Sequence, residues 1–280
     1  MLTVTFIRHG ESEDNTKWIW AGWKDAPLSA QGRKACHPLL FSIQAAAAGK
    51  YFSTTQFTAI YASPLLRAYQ TAEAVRDGSQ QQPPLTIIKN PKLREQYFGI
   101  AEGKPWEAAM PQDSYPTLEE AYANGVFPVL VGRDERFPEG ESLNDLGRRA
   151  AEAIQECVLP HLQGSNSDED RHIILASHGL CISELVSALV RLDPEADTGV
   201  DYRGLLNTAW TRAAVSLKDP SSKDFDASKP PALNVKITDF NISKHLDEVG
   251  AIPVKSADAK QAFFAGQTDA AEANATSEKL

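Results

Sequence analysis

Val4-Thr5-Phe6-Ile7-Arg8-His9-Gly10 opens the chain, and His172-Ile173-Ile174-Leu175-Ala176-Ser177-His178-Gly179 repeats its plan far downstream. Each is a short apolar run that ends in histidine and glycine. Runs of this kind, apolar at consecutive positions, fit strands buried on both faces, as in parallel sheets covered by helices. Ligands of such sheets lie beyond the carboxyl ends of the strands. If the two strands are neighbours, His9 and His178 project into one crevice. Each glycine lets the backbone turn closely around a ligand, and the helix that follows offers free N–H groups to an anion.

The rest of the chain alternates strand and helix patterns around these two runs. Further strands are expected at 58–61, 85–89, 213–217 and 233–240. In the last, Leu233, Val235 and Ile237 interleave with Asn234, Lys236 and Thr238 before the alternation slips at Asp239-Phe240. Ser63-Pro64 reads as an N-cap and first-turn pair opening a helix to about Arg76. Ser142 with Asp145 resembles a capping box, followed by Leu143, Leu146, Ala150, Ile154 and Cys157 at helical spacing, with Pro160 as the stop. A helix is expected over 180–191, and another over 29–48 that Pro38 should kink. The pattern predicts an α/β fold: three layers, α/β/α, with a mostly parallel central sheet flanked by helices. Residues 1–254 read as one domain with a mobile loop at 219–231, rich in Ser, Asp, Lys and Pro, and residues 255–280 as a polar, Ala-rich tail.

The chain has 280 residues, a formal net charge of -9, and 42% hydrophobic and 23% charged residues. An acidic protein without a basic face is a poor nucleic-acid binder. A few arginines can still make one electropositive pocket for a small phosphorylated metabolite. Cys36, Cys157 and Cys181 are odd in number and widely spaced, so a reducing, cytoplasmic setting is expected rather than a disulfide framework. No stretch approaches the ~20 apolar residues of a membrane span, and the first strand is too short for a signal-peptide core. The final Ser277-Glu278-Lys279-Leu280 differs from the Ser-Lys-Leu peroxisomal signal. No membrane or nucleic-acid partner is expected, and the sequence leaves the oligomeric state open.

Arg67 falls in the first turn of its expected helix, where a cation opposes the helix dipole. A planar guanidinium grips two phosphate oxygens at once, which is a functional reason to keep it there, and Arg8 is placed to do the same from the other side.

Arg8-His9-Gly10-Glu11-Ser12, Asn15, Gly22 and Pro27-Leu28-Ser29 resemble the opening of the phosphoglycerate mutase-like histidine phosphatases. The stretch from Ser63 to Ala72, then Leu93-Arg94-Glu95, Gly140-Glu141-Ser142, Ser177-His178-Gly179 and Asn207-Thr208 follow in that family's order. The resemblance implies a phosphoglycerate mutase-like fold and a reaction without cofactor or metal. It makes His9 the nucleophile, with Arg8, Arg67 and His178 holding the phosphoryl oxygens. Glu95 becomes the proton donor to the leaving group, and Asn15 and Gly22 further phosphate-site residues. Physical chemistry agrees: gathered cations offset the charge that repels a nucleophile from phosphorus, and they keep His9 unprotonated. Glu95 needs the opposite shift.

Several residues keep a second reading. Asn15 is also a turn residue by type, Ser142 a plain cap, Glu141 an exposed acid and Arg149 an exposed helix arginine. His37, His161, His172 and His245 read as structural or exposed.

In the mutases of the family an arginine follows the acid and a tyrosine stands two places further on; here those positions are Gln96 and Phe98, or Tyr97 if the loop register slips. The mutases also carry a paired Arg-Arg in a long insertion, whereas Arg133 and Arg136 are separated. Loss of cations favours hydrolysis over transfer, so a phosphomonoesterase acting through phosphohistidine is expected, with a mutase as the alternative. Among phosphatases the chain looks closest to the TIGAR-type, fructose-2,6-bisphosphatase-like branch, which implies a sugar (bis)phosphate. Trp18, Trp20, Trp23 and Trp106 either line an apolar pocket mouth, suiting a bulkier phosphate or diphosphate ester, or pack in the core. An inactive scaffold would have lost one of the core residues; none is missing.

Overall fold

The computed structural model describes residues 1–17, 19–29, 43–107, 115–163, 170–222, 224–226 and 229–249. Its centre is a six-stranded sheet: β1 (Leu2–Arg8), β2 (Ala59–Ala62), β3 (Ile87–Lys89), β4 (Arg171–Ser177), β5 (Trp210–Leu217) and β6 (Leu233–Ile242). The spatial order is β3-β2-β4-β1-β5-β6. The first four strands run parallel, while β5 lies antiparallel to β1 and β6 antiparallel to β5. All six expected strands form. The broken alternation in β6 is a bulge: Arg212 pairs with Asp239 but Ala213 with Ile237, which leaves Thr238 as the extra residue.

Successive side chains of a strand point to opposite faces, so the continuous apolar runs serve two cores. Val4, Phe6, Ile173 and Leu175 face α4 (Leu143–Cys157) and α5 (Gly179–Val190). Ile7, Ile174 and Ala176 face α1 (Ile43–Tyr51) and α2 (Leu66–Gly78). The result is the three-layer α/β/α arrangement. On α4 the helical spacing of apolar residues buries Leu146 and Ile154 completely, worth about 1.5–3 kcal/mol each. The Ser142–Asp145 capping box is present in both directions.

Two helix starts differ from expectation. A short helix, α3 (Leu118–Ala123), opens on a Thr117 side-chain cap that the sequence reading passed over. In addition, α2 begins at Leu66, and Ser63 is not its cap. The Leu66 N–H is taken instead by Asp25 from a distant loop at 2.6 Å, while the Ser63 hydroxyl oxygen accepts from the Leu65 N–H at 3.3 Å. Of the 29–48 helix, Ser29 and the part from Ile43 lie within the described residues, and Ser29 is not helical; Pro38, Cys36, His37 and the 255–280 tail lie outside them, as do parts of the 219–231 loop. Among the described residues no helix is long and apolar enough to cross a membrane.

Candidate active site

The register of β1 on β4 places the chemistry. Arg8 pairs with Ser177, so the next residues, His9 and His178, leave the sheet side by side at its carboxyl edge. The His9 N–H donates to Ser177 O at 3.0 Å, and the two imidazole centroids lie 5.0 Å apart. Both rings are buried.

The hydrogen bonds of His9 determine its tautomer. Its Nδ1 lies 2.6 Å from the carbonyl oxygen of Gly10, which only accepts, so Nδ1 carries the proton. Its Nε2 lies 3.3 Å from Arg67 Nε, which only donates, so Nε2 presents its lone pair. Burial, followed by the charges of Arg67 and Arg8, holds the His9 imidazole well below its ordinary value. His9 is a neutral base aimed at the guanidinium.

Arg67 is 1% exposed, and the loop before it accounts for its placement against the helix dipole. Its Nη1 donates to Lys24 O at 2.9 Å, and its Nη2 donates to Gly22 O at 2.7 Å and Ala21 O at 3.3 Å. These carbonyls compensate the cation and fix its plane. Arg8 is a second cation whose charge reaches the His9 ring: its Nη1 donates to Leu205 O, and its guanidinium lies against Gly179 at the start of α5. Burial pulls the Arg8 pKa down to about 10, which leaves it a cation at neutral pH.

Gly22 contributes its absence of a side chain. A Cβ there would stand 2.0 Å from Glu102 Oε1 and 2.4 Å from the Gln96 carbonyl oxygen, so the loop that holds Arg67 would have to move. Gly22→Ala is expected to cost about 1–3 kcal/mol in urea unfolding and to weaken inorganic phosphate binding with it. Unchanged stability and unchanged phosphate affinity would contradict this placement of Arg67.

His178 Nε2 meets the Ser63 hydroxyl at 2.9 Å, while its Nδ1 is buried with no hydrogen-bond partner among the described residues. Ser63 is therefore a member of the site that the sequence reading assigned to a helix cap. Burial, and then Arg67, lower the His178 pKa well below its ordinary value.

Glu95 corrects a second expectation. The N–H groups at the start of α5 are not left for a ligand: Leu180 N–H donates to Glu95 Oε2 at 3.2 Å and Cys181 N–H to Oε1 at 3.0 Å. An internal carboxyl takes the anion position at this helix start. Burial pushes the Glu95 carboxyl above its usual value, against the pull of these backbone N–H groups and Arg67.

Behind Glu95 stands Arg149, which is not the exposed helix arginine expected. Its guanidinium donates to the carbonyls of Lys92, Arg94 and Glu95 and forms a two-pronged pair with Glu141, itself half-buried rather than an exposed acid. The loop carrying the acid is thus pinned by one side chain. Trp23 adds a further donor, Nε1 to Glu95 O at 2.7 Å, with the Arg94 guanidinium 3.7 Å over its ring.

Asn15 closes a turn: its Oδ1 accepts from both the N–H and the hydroxyl of Ser12 at 3.0 Å. Trp20 and Trp106 are core residues, with Trp20 Nε1 bonded to Phe127 O and its ring against Phe98. Trp20 also lines a small cavity with Gln96, Phe98 and Phe137, and Trp18 lies outside the described residues. His161 and His172 are structural, bonded to Tyr61 and Thr5.

The profile of the histidine phosphatase superfamily (branch 1) matches residues 4–223, most of the chain. The chain belongs to this superfamily. A probable phosphoglycerate mutase GpmB from Yersinia enterocolitica is 31% identical over 204 residues, 72% of this chain and 81% of that protein. Among solved structures, mycobacterial glucosyl-3-phosphoglycerate phosphatase superposes with a TM-score of 0.62 at 24% identity, covering 85% of this chain and 98% of its own. A phosphoglycerate mutase from Bacillus anthracis superposes with a TM-score of 0.55 at 19% identity, covering 88% and 96%. At these identities the two superpositions speak for the histidine phosphatase fold alone.

Proposed function

We propose that this histidine phosphatase superfamily member is a metal-independent phosphomonoesterase that transfers the phosphoryl group of a small metabolite, such as a sugar phosphate, to His9 Nε2 and then hydrolyses it. The observation that carries the reading is the tautomer of His9, whose one lone pair meets Nε of the buried Arg67 at 3.3 Å, with the charge of Arg8 also bearing on the ring. With phosphorus on Nε2, the Arg67 N–H now directed at the imidazole passes to a phosphoryl oxygen. Arg8 balances the developing charge as a second cation. The incoming dianion raises the basicity of the His178 imidazole and so recruits it as a further donor. Glu95, whose carboxyl burial shifts upward, gives its proton to the departing alkoxide and, once ionised, takes one from the attacking water. Asn15 and Gly22 act here by shaping the loops around the phosphate.

Hydrolysis is preferred to transfer because the spare cations are already engaged. Arg133 makes a two-pronged pair with buried Glu184, and Arg136 pairs with Asp145 at the start of α4. Gln96 spends its amide on Glu141 O, and Phe98 is buried against Trp20. A mutase has to hold its substrate in two orientations and needs such groups free. The name of the Yersinia relative favours that alternative. The test is to incubate the enzyme, in chelator, with 3-phosphoglycerate and with a panel of sugar phosphates, following phosphate release beside 2-phosphoglycerate formation. Phosphate release without isomer exchange is expected. Rapid interconversion of the two phosphoglycerates would make the enzyme a mutase.

A further inference from the structure

The family profile ends at residue 223, yet the structure continues into β6 and a short helical turn, Lys244–Val249. Two side chains of this later segment reach back to the loops that hold the catalytic residues.

Asn241, near the end of β6, is one of three non-glycine residues with a left-handed backbone (φ 53°) among those described. Its Oδ1 accepts from the Leu206 N–H and its Nδ2 donates to Gly204 O, both at 3.0 Å. The carbonyl between them, Leu205 O, is the one that receives Arg8 Nη1. Asn241 therefore sets both flanks of the Arg8 anchor.

His245 makes the second link. Its Nε2 lies 3.0 Å from Thr208 Oγ1, whose own proton goes to Asn207 O at 2.7 Å. The threonine oxygen can only accept from the imidazole, so His245 carries its proton on Nε2. Its buried Nδ1 then bears a bare lone pair, and accordingly it has no hydrogen-bond partner among the described residues. Burial lowers the His245 pKa to about 4, so the ring stays in this neutral form at neutral pH. Thr208, itself left-handed at φ 56°, donates its N–H to His9 O at 3.2 Å, and Asn207 Nδ2 donates to the same oxygen at 3.1 Å.

We propose that the segment beyond the family-matched region is a positioning clamp for the active site, with Asn241 setting Arg8 through the 204–206 loop and His245 setting His9 through Thr208. Neither is a catalytic residue: each acts through another. The proposal rests on the phosphohistidine reading for its kinetic consequences, but not for its effect on anion binding. The two links end on groups with different duties, so breaking them has different signatures. Loss of the Asn241 side chain loosens a phosphate ligand, and loss of the His245 donor loosens the nucleophile.

The test uses the full chain with Asn241→Gly, which keeps the left-handed backbone, and with His245→Leu and His245→Gln. Turnover of an aryl phosphate is measured beside the Kd of inorganic phosphate by calorimetry. Asn241→Gly is expected to raise that Kd several-fold. His245→Leu is expected to lower kcat about ten-fold, the scale of a small misplacement of a reacting group, with phosphate Kd unchanged. His245→Gln, which restores an N–H donor, is expected to recover most of the loss. Equal losses of kcat and affinity in all three variants, or no change in any, would overturn the clamp. If the wild type binds phosphate but turns nothing over, the hydrolase reading fails. The Asn241→Gly affinity then decides the clamp alone, an unchanged Kd overturning it.

Discussion

With His9 replaced by alanine, phosphate release from an aryl phosphate is expected to fall by about 10⁴-fold or more, the scale seen when a covalent nucleophile is removed. The size follows from the arrangement around Nε2. The carbonyl of Gly10 fixes the imidazole proton on Nδ1, so one nitrogen has a lone pair to offer. The neighbouring His178 ring is engaged with Ser63 through its own Nε2. Water directed by Arg8 and Arg67 alone would still gain from charge stabilisation, which keeps the residual rate above background. Inorganic phosphate should continue to bind His9→Ala, because the carbonyls of Ala21, Gly22 and Lys24 still hold both terminal nitrogens of Arg67 when its Nε bond to the imidazole is lost. A parallel loss of phosphate binding would mean that His9 is a ligand and not the nucleophile.

The second large effect belongs to Glu95, and it depends on the substrate. Glu95→Gln is expected to slow hydrolysis of alkyl phosphates by about 10²–10⁴-fold, the range of general acid catalysis. An aryl phosphate, whose leaving group departs without a proton, should lose far less in its transfer step. The pH dependence supplies the sign. Burial raises the Glu95 pKa, so the wild type keeps its acid protonated beyond the ordinary carboxylate range and loses kcat/KM as pH rises through the shifted value. His9 is shifted downward by burial and the arginines, so its limb lies on the acid side, well below the imidazole's ordinary value. Ionisation of the substrate itself, near pH ~6, affects both enzymes alike. The alkaline limb should therefore be present in the wild type and missing from Glu95→Gln. Identical profiles, or equal losses with alkyl and aryl substrates, would remove Glu95 from the proton-donor role.

What the sequence made legible was periodicity and chain order. The apolar runs at Val4–Ile7 and 172–176 announced buried parallel strands, and their shared His-Gly ending placed two imidazoles at one sheet edge. Even the slip at Asp239-Phe240 corresponded to a bulge. The partners were harder to read, because they come from distant parts of the chain. Ser63 looked like a cap, but Asp25 caps α2 and Ser63 turns to His178. Glu141 precedes α4 and Arg149 lies inside it, eight residues on, beyond the three- or four-residue spacing by which helix ion pairs are read from sequence. Only the packing of the 92–95 loop on α4 shows that they frame the acid. Trp20 and Trp106 showed no depth in the sequence, since aromatic residues serve pocket walls and cores alike. The helix N-terminus after His178 was read as open to an anion, and a carboxyl of the same protein occupies it.

The central claim is that phosphorus travels through one nitrogen of His9. Rapid quenching of the enzyme in alkali during turnover of a ³²P-labelled phosphate ester, followed by peptide mapping, tests it directly. The account predicts an acid-labile, alkali-stable label on the peptide containing Arg8-His9-Gly10, carried on Nε2 and absent from His9→Ala. Label on Nδ1, on the His178 peptide, or on none while phosphate is being released would contradict it.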